Sequence, residues 1–172
     1  GTYVVGRRLW DLGLLTPVQT GLRQVAEPSL HDIYAATLAT VHLAVREGLE
    51  VLYLDRLSGR RSVPIVSRVG TRLPAHATAV GKILLAHAPD DVQEAALRSL
   101  TRVTPYTITN PATFRRQLAR VRIEGYATTS EEMSLGACSV AVPIMKSVGA
   151  IAAVGLVVRS LKRDRSRLVA SL

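Results

Sequence analysis

The sequence predicts an α/β domain in which an antiparallel β-sheet carries helices packed on it. Three observations lead there. Two pairs of apolar runs, Val41 to Arg56 and Ala137 to Arg159, bracket a middle stretch whose apolar residues recur at helical spacing. The chain has 172 residues, long enough for one well-filled core. Apolar residues make up 48% of it and aromatics only 4%, so that core is built from Ala, Val, Leu and Ile.

Taken in order, Gly6 to Leu15 places Leu9, Leu12 and Leu15 on one helical stripe with Trp10 beside it, and Thr16 and Pro17 stop that helix. A second helix is expected from Gly21 to Ala39, with Leu22, Val25, Leu30, Ile33 and Leu38 as its apolar positions. Pro28 lies inside it and either kinks it or opens a new helix. From Val41 to Arg46 the period changes to alternation, a half-buried strand, and Val51 to Arg56 returns after a turn through Gly48. A third strand is expected over Ser62 to Ser67. Leu73 to Ala88 is read as a helix opened by Pro74 and a set of small residues, followed by another over Asp90 to Leu100. Asn110 and Pro111 form a cap and first turn for a helix that buries Phe114, Leu118 and Val121 and ends at Gly125. After a hydroxyl-rich loop, strands Ala137 to Met145 and Ala150 to Arg159 close the domain, and Leu161 to Leu172 is a basic helix.

Composition excludes several classes. The longest apolar run, 148 to 158, is too short to span a bilayer, and no signal peptide is visible. Cys138 is the only cysteine, which rules out an internal disulfide and a cysteine-rich zinc site. A cytoplasmic protein is expected. The net charge of +9 is spread over helix surfaces, except between Arg159 and Arg167, and no zinc finger, basic zipper or RNA-binding aromatic motif accompanies it. The first residue is Gly1 and not Met, so a segment upstream is expected.

The stretch richest in chemistry is Gly125 to Ile144, GYATTSEEMSLGACSVAVPI, where hydroxyls and two carboxylates meet a buried strand. Polar groups at the rim of a buried sheet cost desolvation unless paired, so they mark a turn network or a ligand site. Gly125, a three-residue gap, Thr129, Glu132, and Ser139 seven positions later leading into Val-Ala-Val-Pro-Ile resemble the signature of IclR-type transcriptional regulators. Thr129 stands where the family usually has Asp, and Met145 and Lys146 stand where it has an aromatic followed by Asp or Asn. The run TVHLAVREGLEVLYLDR and the segment Leu73 to Ala88, with its Pro, His and Gly-Lys pair, are also similar to that family. Thr2 to Leu12 looks like the junction after its winged helix-turn-helix domain.

The resemblance implies a GAF-like fold. It implies a linker helix over residues 1–20 that follows a DNA-binding domain outside this chain, and an effector-binding and oligomerisation domain over 21–172. It further implies a small-molecule effector, a homodimer or homotetramer, and contact with DNA only through the other domain. Leu9, Trp10 and Leu22 are the candidate interface residues.

An enzyme is not expected. Glu131 and Glu132, neighbours on an extended chain, point to opposite sides and are read as solvated loop charges. Neither Cys138 nor Ser139 sits in a nucleophile elbow, and Gly81-Lys82 lacks the rest of a phosphate loop. His76 and His87 stand at opposite ends of one expected helix, histidines in general are read as solvated or capping, and no metal or other cofactor is expected. A sensor pocket fits better: Thr78, Ala79 and Val80 at a helix start, Thr129 in the loop, Ser139 on the strand, and Val63 and Ile65 as an apolar wall. Gly155 and Val157 occupy positions where related proteins carry Asn or Ser and then Ser. With those polar groups replaced, the expected effector is a larger and more apolar organic acid, aromatic or extended. The alternatives are an interaction module whose cavity is filled by its own side chains, and a small hydrolase using Ser139 or Glu132.

Overall fold

The computed structural model describes residues 17–59, 62–147, 149–162 and 165–172. The helix expected over 6–15, with Leu9 and Trp10, lies outside them. The first described element, α1 (Pro17–Thr37), runs unbroken through Pro28. Leu30 and, with it, Leu22, Ala26, Ile33 and Tyr34 form the stripe that packs on the sheet. Leu22 is therefore turned into the domain, and Val25, on the far side, is 80% exposed.

Strands β1 (Thr40–Glu47) and β2 (Glu50–Leu57) form the expected hairpin, turning at Gly48 with φ of 60°. The alternating pattern there understates burial, since His42 and Ala44 are as covered as Val41 and Leu43. Ser62 to Ser67 is not a strand. Pro64 has no N–H to give a ladder, and β2 is paired instead with β3 (Arg72–Pro74). Val63 and Ser67 are buried and Pro64 and Val66 exposed, so the alternation in this segment reflects burial without sheet pairing.

A 3₁₀ turn, Ala75–Ala77, leads into α2 (Ala79–Ala86), so the helix expected from Leu73 begins six residues later. Then come α3 (Asp90–Arg98) and α4 (Pro111–Glu124). Asn110 caps α4 by accepting the Thr113 N–H at 2.9 Å, and Gly125 ends it in the left-handed conformation at φ 75°. The hydroxyl-rich segment is partly a strand, β4 (Ala127–Ser130), followed by β5 (Cys138–Lys146), β6 (Gly149–Val158) and a short α5 (Arg165–Ala170). The six strands form one sheet in the order β3-β2-β1-β6-β5-β4, antiparallel throughout.

Because side chains alternate across a strand, the sheet has two apolar faces and the domain two cores. On one face Ala44, Val51, Tyr53, Ala141 and Ala153 meet Ile83 and Leu85 of α2 and Phe114 and Leu118 of α4. On the other, Val41, Leu43, Leu52, Leu54, Val154 and Leu156 meet Leu30 of α1 and Leu168 of α5. Small residues beneath α2 let it sit close: a Cβ on Gly155 would lie 2.8 Å from Val80 Cγ1. Every residue of α2 is buried, Lys82 included. Among the described residues no helix is long and apolar enough to cross a membrane.

Candidate functional site

The site is assembled where the first turn of α2 faces the sheet. Thr78 is extended, at φ −120° and ψ 146°, and its Oγ1 accepts the Gly81 N–H at 3.1 Å. Its carbonyl accepts the Lys82 N–H at 2.9 Å. Of the first-turn donors, those of Ala79 and Val80 remain to face outward with the positive end of the helix dipole. Gly81 holds this turn against the preceding one, since a Cβ there would lie 2.1 Å from the Ala75 carbonyl oxygen.

Opposite this turn, strand register aligns Thr129, Ser139 and Val157 in one row across β4, β5 and β6. Two residues along, Ala141, Gly155 and His42 make the next row on the same face. Thr129 Oγ1 and Ser139 Oγ share a hydrogen bond of 2.5 Å. Between rows and helix lies a cavity of about 50 Å³. Thr78, Ala79 and Val80 line it from the helix, Thr129, Ser139, Gly155 and Val157 from the sheet, and Ile65 from the segment that covers it. Val63 does not belong to it. It lines a separate cleft with Leu38 and Val158.

The cavity also contains groups that were not expected. His42, Tyr53, Ser67, Leu73, Met133 and Ser134 line it. The sequence signal for His42 was its place in an alternating apolar strand, two residues before Ala44, on the face that points at α2. His42 is 3% exposed, packs edge-on against Tyr53 with centroids 4.8 Å apart, and shares a 3.0 Å hydrogen bond from Nε2 with Ser67 Oγ. Burial, helped by the Arg56 charge, lowers its pKa to about 3. Burial likewise pushes the Tyr53 phenol up, against a hydrogen bond from the Thr78 side chain. His42 and Ser67 form a serine–histidine contact, but so weak a base does not activate a hydroxyl at neutral pH. His42 and Tyr53 are instead neutral hydrogen-bonding groups at one end of the cavity. His76 is also buried, bonded to the Thr101 carbonyl at 2.8 Å, whereas His87 keeps the expected capping role on the Ile83 carbonyl and His31 is exposed, bonded to the Glu27 carbonyl. Among the described residues no cluster of three or more His, Cys, Asp or Glu could hold a metal ion.

Glu132 corrects the sequence reading most sharply. It is buried, and its Oε1 accepts from Lys82 Nζ at 2.6 Å, with side chains 1% and 6% exposed. Fifty residues separate the two, so no local pattern announces the pair. Desolvation lowers the Lys82 pKa and raises that of Glu132, and the mutual attraction opposes both shifts. The backbone around Glu132 is held as well: Thr104 Oγ1 donates to the Glu131 carbonyl and Thr107 Oγ1 to the Glu132 carbonyl, each at 2.7 Å.

Comparison with known proteins places these features in a family. The family model described as "Bacterial transcriptional regulator IclR C-terminal" matches residues 16–172. The HTH-type transcriptional regulator XynR of Escherichia coli (strain K12) is 36% identical over 150 residues, 84% of this chain and 58% of that protein. An IclR homolog from Microbacterium hydrocarbonoxydans, complexed with 4-hydroxybenzoate, superposes with a TM-score of 0.92 at 38% identity, covering 98% of this chain and 70% of that one. The inducer-binding domain of the Acinetobacter transcription factor PobR, a double mutant in complex with 3-hydroxybenzoic acid, gives a TM-score of 0.72 at 34% identity, covering 85% of this chain and 87% of that one. The chain spans about half the length of the curated regulators it matches.

Proposed function

The chain belongs to the IclR family of bacterial transcriptional regulators, through their C-terminal domain, and from that premise we propose that it senses a small aromatic acid in the cavity beneath α2. The observation that carries this reading is the meeting, around one cavity, of a helix N-terminus, a Thr129–Ser139 hydroxyl pair and a lining that is for the most part apolar. The carboxylate sits against the Ala79 and Val80 N–H groups and the two hydroxyls. Leu73, Ile65, Val157 and Met133 flank the ring, and neutral His42 and Tyr53 receive a polar substituent at the far end. The 4-hydroxybenzoate and 3-hydroxybenzoate complexes of two relatives support this class of ligand.

Size adds a condition. A cavity of roughly 150 Å³ holds benzene, and this one measures about 50 Å³, so the ligand enters by displacing part of the cover. The segment 62–70 is that cover. It contains no strand and is fastened at Ser67, whose carbonyl accepts from Arg56 Nη1 at 3.0 Å, and at its end by Gly70, whose N–H donates to the Tyr53 carbonyl at 2.8 Å. Moving it is the conformational step by which occupancy is relayed to a DNA-binding segment outside this chain, in a cytoplasmic dimer or tetramer. Residues 1–20, the last four of which open α1, are the linker in that arrangement.

A thermal-shift and calorimetry panel of 4-hydroxybenzoate, 3-hydroxybenzoate and short aliphatic acids tests the proposal. A ligand present at a hundred times its Kd stabilises the folded state by about 2.7 kcal/mol. One aromatic acid raises Tm accordingly, and Ser139→Val abolishes the rise. No shift with any aromatic acid would overturn the sensor reading in favour of an interaction module with a self-filled core.

A further inference from the structure

A buried ion pair is a poor source of stability, because desolvating two charges offsets most of their attraction and a packed apolar pair serves as well. Lys82–Glu132 therefore needs another reason to exist, and its position supplies one. Lys82 lies one helical turn beyond Thr78, Ala79 and Val80, which form one wall of the cavity. Glu132 immediately precedes Met133 and Ser134, which with Ala137 form the facing wall. The helix side is backed by the preceding turn, where Gly81 lies so close to Ala75 that a Cβ would come within 2.1 Å of its carbonyl oxygen. The loop side starts from a non-glycine residue in the left-handed region, Glu131 at φ 57°, a conformation that persists only where the surroundings over-determine it. The Thr104 and Thr107 hydroxyls hold its carbonyls from one side, and the Lys82 ammonium holds its side chain from the other.

From this geometry we infer that Lys82 and Glu132 are positioning residues, a strut that fixes the loop 131–137 at a set distance from the first turn of α2 and so shapes the effector site. The link to ligand rests on the sensor reading above. The strut itself does not. One charge-assisted contact at 2.6 Å has a single good geometry, whereas two apolar side chains in its place pack equally well over a range of loop positions.

The test compares the parent chain with Lys82→Met/Glu132→Leu, because either single substitution would strand a buried charge and strongly destabilise the fold. Amide hydrogen exchange is read without ligand at Glu131, whose N–H donates to the Ala137 carbonyl, and at Ala137, whose N–H donates to the Ser134 carbonyl. Val140 and Leu156 in the sheet serve as internal references. The expected result is an unchanged or higher Tm, exchange at least tenfold faster at Glu131 and Ala137 alone, and a Kd for 4-hydroxybenzoate at least tenfold weaker. Unchanged exchange at those two amides overturns the inference whatever the affinity, as does a double variant that fails to fold, which would make the pair a stabilising one. Faster exchange with parental affinity overturns its role in ligand binding. Faster exchange in a protein whose parent binds no acid leaves the strut standing and sinks the sensor reading.

Discussion

His42 is a neutral imidazole facing a site proposed to receive an anion, and its neutrality has a cost that pH exposes. Its folded pKa of about 3 lies below the ordinary value of 6.5, so between those values the unfolded chain binds the proton that the folded one refuses. Stability from this group is therefore complete above pH 6.5 and is lost as pH falls toward 3. Between pH 7 and pH 5 the loss is about 2 kcal/mol. Urea denaturation at the two pH values should show a loss larger by that amount in the parent than in His42→Gln. Glu132 shows the opposite side of legibility. Its type and neighbours read as a solvated loop charge, and only a lysine fifty residues away makes its burial tolerable. Thr129 and Ser139, by contrast, stood out because their spacing carries the family signature, with Thr129 in place of its usual Asp, although their pairing across two strands was not legible.

At the scale of elements, the two capped helices have different jobs. Thr78 caps α2 at the cavity and Asn110 caps α4 away from it. Replacing either with Ala should cost about 1 kcal/mol in denaturation. Thr78→Ala should also weaken aromatic-acid binding in calorimetry, and Asn110→Ala should leave affinity unchanged. Elements with strong local codes were legible from the chain alone: α4 from Asn110-Pro111 to Gly125, and the β1–β2 hairpin from its alternation and Gly48. Elements that depend on distant partners were not. Segment 62–67 has a strand's alternation but a proline in the ladder position, and β4 is four polar-rich residues that become a strand only because β5 offers its edge. Helix α1 passes through Pro28 without a break, since its stripe on the second core outweighs the hydrogen bond that proline removes.

For the molecule as a whole, one sheet separates two cores that share no side chains. Phe114 is fully buried on the α2 side and Leu43 on the α1 side. Phe114→Ala should cost about 3–5 kcal/mol and Leu43→Ala about 2–5. In a doubly substituted chain the two losses should add to within about 0.5 kcal/mol by urea denaturation, as independent sites do. A coupling well beyond that would mean that the sheet transmits strain between its faces.

The strand order also has a consequence in time. The β1–β2 and β5–β6 hairpins are local, but β1 meets β6 by joining residues such as Thr40 and Val157, more than a hundred positions apart. Closing so long a loop is the entropically expensive part of folding, and it sets a slow pace. The cavity straddles this seam, with His42 and Tyr53 on one side and Ser139, Gly155 and Val157 on the other. No half-folded chain owns the cavity, so on the sensor reading proposed above a newly made domain becomes able to respond to a ligand only when the last long-range zipper has closed.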